Sequence, residues 1–90
     1  MASQSPRSRF RSSLNSDHPL LALLPMLRAT CPRFGASFDV RRTLGQPYCI
    51  EITCEDGTDL EVELLDDVPT HRSRAGEYVP TTQAQLEVDL

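Results

Sequence analysis

The apolar positions change their period partway along the chain. Leu20, Leu21, Leu23, Leu24 and Leu27 crowd more than one face of a helix over 19–28, which predicts burial between a sheet and a second surface. Asn15, Ser16 and Asp17 offer capping side chains, and Pro19 suits a first helical position. Pro25 breaks the continuity, because it removes the bond to Leu21 and its ring clashes with that carbonyl. Either the helix kinks there or two short turns meet at Leu24.

Beyond Gly35 the period is two. Phe38 and Val40 alternate with Asp39 and Arg41 until Gly45-Gln46-Pro47 interrupts the run. Tyr48, Ile50, Ile52 and Cys54 then share one face of a strand, with Cys49, Glu51, Thr53 and Glu55 on the other. Leu60, Val62 and Leu64 repeat the pattern against Asp59, Glu61 and Glu63. These last two runs predict a β-hairpin.

The register of that hairpin follows from the faces. A two-residue turn at Asp56-Gly57 sets Ile52 opposite Glu61 and mixes apolar with acidic side chains. A three-residue loop, Glu55-Asp56-Gly57, sets Ile52 opposite Leu60, Ile50 opposite Val62 and Tyr48 opposite Leu64, leaving one clean apolar face. Gly57 then occupies the left-handed position that closes such a loop. The other face carries Glu51, Glu55, Asp59, Glu61 and Glu63, and repels RNA, so it is expected to face solvent or a basic protein.

The flanks read differently. Residues 1–16 hold six serines, three arginines and no acid, a composition like that of an organelle transit peptide. A plain basic tail or an arginine-rich arm that folds along RNA fits the same composition. Residues 67–90, punctuated by Pro69, Gly76 and Pro80, read as an extended tail whose Leu86, Val88 and Leu90 alternate as in a short edge strand. At 90 residues the whole is at most one small domain. No run approaches the ~20 apolar residues of a transmembrane helix.

Charge is segregated along this layout. Residues 1–45 carry seven arginines against two acids, and residues 46–90 carry two arginines against eleven acids. Such a split suggests that one half meets a polyanion and the other faces water or a basic partner. Every cation is Arg and none is Lys. That bias fits phosphate contact and follows equally from a GC-rich genome. Arg41 and Arg42 sit side by side, pointing to opposite faces of their strand.

Catalytic signals are weak. Cys49 and Cys54 stand five apart on one strand and face opposite sides, no CxxC occurs, and Cys31 is isolated. Reduced thiols serving as small apolar residues account for all three. His18 falls at the helix entry and His71 in the tail. The carboxylates lie on one strand face and in tails, as a solvated surface does. No catalytic residue, metal site or cofactor is expected.

The order of Arg9-Phe10-Arg11, a leucine-rich helix, Phe38-Asp39-Val40-Arg41-Arg42, a break ending at Pro47, and Ile50 to Leu60 with its Asp56-Gly57 turn resembles the mitochondrial large-ribosomal-subunit protein fifty-three family over roughly residues 9–66. The resemblance implies an α+β, thioredoxin-like core (strand, helix, strand, β-hairpin) at 17–66, with a basic arm at 1–16 and an extended tail at 67–90. It departs from the family in Pro25, in the weak first strand at Ser12-Ser13, and in lacking an evident helix after Asp66. What it implies for function is a non-enzymatic component of the mitochondrial ribosome, in the matrix, bound to rRNA and neighbouring ribosomal proteins. Arg7, Arg9, Arg11, Arg33, Arg41 and Arg42 would then neutralise rRNA phosphates without reading bases. A thioredoxin-like accessory subunit of a respiratory complex, held by protein contacts alone, is the alternative.

Overall fold

The computed structural model describes residues 18–90. The basic arm, with Arg7, Arg9 and Arg11, and the first strand implied by the resemblance lie outside the described residues. A 3-10 turn at Leu21–Leu23 leads into helix α1 (Leu24–Thr30) and a second 3-10 turn at Cys31–Phe34. Five strands follow, β1 (Ala36–Thr43), β2 (Gln46–Cys54), β3 (Asp59–Leu65), β4 (Val68–Arg72) and β5 (Tyr78–Pro80), and helix α2 (Gln83–Asp89) closes the chain.

The fold is α+β, as expected, and it is not thioredoxin-like. All four strand pairs are antiparallel and adjacent in sequence, β1-β2-β3-β4-β5. A thioredoxin-like sheet needs a helix carrying the chain between parallel strands. Here α1 precedes the first described strand, and short turns join every strand to the next.

Local chemistry explains the entry. Pro25, lacking an N–H, sits in the first turn of α1, where that donor has no helical partner. The two short turns therefore meet at Leu24, whose N–H reaches the Leu21 carbonyl. Gly35 ends the second 3-10 turn at φ +66, and a Cβ there would lie 2.8 Å from the Glu55 side chain.

The hairpin register is the one the faces require at Ile50 and Ile52, whereas Tyr48, expected opposite Leu64, is outside the paired stretch and exposed. Ile52 opposes Leu60 and Ile50 opposes Val62, while on the other side Phe38 opposes Ile52 and Val40 opposes Ile50. The Gly57 N–H donates to the Cys54 carbonyl at 3.0 Å, and the Cys54 N–H to the Thr58 carbonyl at 2.8 Å. Gly57 takes φ +91, open to glycine at little cost. Leu20, Leu27 and Cys31 pack onto this apolar face with Ile50, Ile52 and Val62, and Leu86 joins them from α2.

The expected extended tail is instead structured. Residues 68–80 form β4 and β5, and residues 83–89 form a helix rather than an edge strand. Thr82 is extended and its hydroxyl accepts from the Gln85 N–H at 3.1 Å, a side-chain cap that starts α2. Leu86 and Asp89 turn inward on that helix while Val88 stays exposed, a spacing of three that alternation conceals.

One polar group in this core is unsupported among the described residues. Thr30 is fully buried and its hydroxyl has no hydrogen-bond partner. Replacing it with valine removes the stranded hydroxyl and keeps the shape. Thr30→Val is expected to stabilise the fold by about 1–3 kcal/mol in urea denaturation. A loss of stability would mean that the hydroxyl is used.

Candidate functional site

Among the described residues, the arginines read from the sequence do not converge. Arg33, in the second 3-10 turn, pairs with Glu87 of α2 at 3.1 Å and lies over the Phe34 ring. Arg41 meets Glu51 of β2 at 2.6 Å, and that hydrogen bond and charge hold its guanidinium more firmly protonated than usual. Among the described residues Arg42 donates only to the Gly45 carbonyl, at 3.2 Å. The strand register shifts between Arg41 and Arg42, so the pair does not simply alternate as a regular strand would. Arg33 and Arg41 thus already hold carboxylates, and Arg42 is the one most open to an outside anion.

Beside Arg42, the β1–β2 turn carries the most exposed large apolar residue described. Leu44 is 97% exposed and has φ +53, followed by Gly45 at φ +80. Two residues of positive φ match the right-handed twist of the flanking strands, but such turns favour Asn, Asp or Gly. A leucine there meets its own carbonyl sterically, costing about 1–2 kcal/mol. The β3–β4 turn, Asp66-Asp67, has the same backbone with residues that tolerate it. In a meander these two turns lie at one end of the sheet. That end also carries Tyr48, Leu65 and Val68, all exposed.

A groove of about 760 Å³ opens on the other side of β3. It exists because β3 and β4 pair only from Glu63 to Leu65 and then splay apart. Asp59, Glu61 and Glu63 form one wall, and Arg72, Arg74 and Tyr78 the other. The opposite wall is internally engaged, with Arg72 stacked 5.3 Å from the Tyr78 ring centre and Arg74 donating to the Leu90 carbonyl. On the β3 wall Glu63 is pushed up from the usual carboxylate range by a hydrogen bond shared with Glu61, by burial and by the Glu61 charge.

The thiols stay free. Cys31 and Cys49 are buried and Cys54 is half-buried. Burial raises all three thiols, and neighbouring acidic groups raise them further, Cys54 beside Cys31 and Glu61 beside Cys49. Among the described residues no three His, Cys, Asp or Glu side chains gather as metal ligands.

One polar constellation escaped the sequence reading. His71 of β4 is fully buried, its Nδ1 2.8 Å from the Thr81 hydroxyl and its Nε2 2.7 Å from Asp89 of α2. Asp89 also accepts from the Arg74 N–H at 3.0 Å and from Gln85 at 2.9 Å. A carboxylate only accepts, so Nε2 carries a proton, and a neutral ring then accepts from Thr81. The order hydroxyl, imidazole, carboxylate is that of a hydrolase relay. Here the hydroxyl and the ring are shut off, since Thr81 is 7% exposed, His71 is fully buried and neither lines the groove, which only Asp89 of the three reaches. The chain of bonds instead clasps α2 to β4. Its legible signal was Thr82-Gln83-Ala84-Gln85, a capping pattern that turns Asp89 toward the sheet.

No protein family, curated protein or solved structure matches the chain.

The clasp predicts acid sensitivity. Burial works against the Asp89 charge, but the bonds from Arg74, Gln85 and His71 outweigh it and hold the carboxyl below its ordinary value. A depressed folded pKa contributes stability that is complete above the unfolded value of about 3.9 and is lost as pH falls through the folded one. Wild type should therefore lose stability more steeply than Asp89→Asn between about pH 5 and pH 3, read by thermal melts. Parallel curves would remove Asp89 from the account.

Proposed function

We propose that this chain is a non-enzymatic assembly component, a small antiparallel sheet that docks on a larger particle by the end bearing Leu44. The observation that carries this reading is a leucine held at positive φ and 97% exposed, at a turn that Asn or Gly would occupy without strain. Strain of this kind, kept where water is the only visible neighbour, favours a role in binding over a role in folding. Large apolar side chains at interface centres carry most of the binding energy when a partner pocket desolvates them.

The more specific setting is the large subunit of the mitochondrial ribosome, in the matrix. It is supported by the arginine bias and by Arg42 flanking the Leu44 tip, while the resemblance of residues 9–66 counts for less, because the thioredoxin-like fold it implies is not the one found. The pairing of Arg33 with Glu87 and of Arg41 with Glu51 weighs against those two as phosphate contacts. Arg7, Arg9, Arg11 and Arg42 are then the stronger rRNA candidates. A respiratory-complex subunit would use the same apolar end on a protein surface and need no RNA.

Leu44→Asn separates docking from folding. Asparagine tolerates the left-handed backbone, so the melting temperature is expected to rise by about 4–8 °C. The same variant, expressed in tagged form, should shift from the particle fractions of a density gradient toward the free fractions. A variant that gains stability and still sediments with the particle would overturn the role of the tip.

A further inference from the structure

The two edges of the sheet are built differently. β5 is three residues long and ends on Pro80, which has no N–H to offer a neighbouring strand. β1 runs for eight residues without a proline, and among the described residues no strand lies beyond it. A long edge of this kind is a template for an added strand.

Which groups β1 offers follows from the ladder. The Cys54 N–H donates to Thr58, on the β3 side, and alternate residues of a strand address the same neighbour. Thr53, Glu51 and Cys49 therefore address β1, where they oppose Ser37, Asp39 and Arg41. The N–H and C=O groups of Phe38 and Val40 point the other way, off the edge. Both side chains are only partly buried, at the rim of the core.

The polar face of this edge carries Asp39 and then Arg41. The Asp39 side chain is 77% exposed and meets Arg41 of its own strand only at 4.0 Å. When an antiparallel strand meets its own copy across a two-fold axis, centring on Val40 sets Asp39 opposite Arg41 twice over. Centring on Asp39 or on Arg41 opposes like charges, and centring on Phe38 leaves both residues opposite uncharged ones. Asp39 and Arg41 spend their backbone bonds on β2, so across the new ladder they form non-hydrogen-bonded pairs, whose side chains lie closest. A guanidinium has five donors, so Arg41 can keep Glu51 and take the second carboxylate as well.

We propose that β1 pairs antiparallel with β1 of a second copy of this chain, centred on Val40, so that the two sheets become one. The interface is isologous, the same edge presented from both sides. Pairing over 38–42 leaves Leu44 outside the ladder, so the dimer does not depend on the docking role of that tip.

Sedimentation equilibrium on the full chain over a range of concentrations tests it. The wild type is expected to pass from monomer to dimer as concentration rises, with exchange of the Phe38 and Val40 amides slowing in parallel. Asp39→Arg and Arg41→Asp each bring like charges together at both pairs, and each is expected to weaken self-association by about tenfold or more. Mixed in equal amounts, the two variants again oppose unlike charges at both pairs, and association is expected to return. Val40→Pro removes the N–H that the second copy needs and spares the β1–β2 ladder, so it is expected to be a folded monomer by circular dichroism and sedimentation. A wild type that stays monomeric at every concentration would overturn the proposal, as would a mixture no better associated than its components or a Val40→Pro dimer. Protection of the Phe38 and Val40 amides that does not change with concentration would assign the edge to another part of the same chain, and would overturn it too.

Discussion

The register of β2 against β3 is the constraint on which this molecule depends. One residue of slip would turn Leu60 and Val62 to the acidic side and bring Asp59, Glu61 and Glu63 under the helix. The three-residue loop closed by Gly57 prevents it. With Ile52 opposite Leu60, and Ile50 opposite Val62, β1 can add Phe38 and Val40 to the same face, and Leu20, Leu27 and Leu86 can cover it. Segregating apolar from acidic side chains also produces the carboxylate row along one wall of the groove. Fold and surface chemistry here share one cause.

That register was legible because period two and a glycine at the required loop position point to the same answer. The break at Leu24 was legible for a similar reason, since proline acts through its own covalent structure whatever packs around it. The thioredoxin-like expectation failed at a different level. It rested on the order of elements, and a helix followed by strands reads alike whether the strands cross over in parallel or fold back as a meander. Connection length held the answer: two residues between β1 and β2, or between β3 and β4, permit only an antiparallel return.

The C-terminal third was misread because its core positions are polar. His71 and Asp89 are buried only because each satisfies the other, and a pattern of apolar residues does not register them. Three apolar residues in eight, Leu86, Val88 and Leu90, fit strand alternation as well as helix spacing. The Thr82-x-x-Gln85 cap was the signal that decides between them. Among the candidate arginines, the sequence could not tell which were already committed to carboxylates, because Arg33 meets Glu87 across 54 residues of chain. Leu44 drew no attention for the opposite reason, since its importance lies in a backbone angle that no composition reveals.

The most direct test of the docking account places a photo-reactive amino acid at position 44 in the full chain, with position 88, also exposed, as the control. The account predicts that crosslinks from position 44, and not from position 88, reach a protein or RNA of one large particle, identified by mass spectrometry and sequencing. Crosslinks that stay within the chain, or equal and scattered capture from both positions, would contradict it.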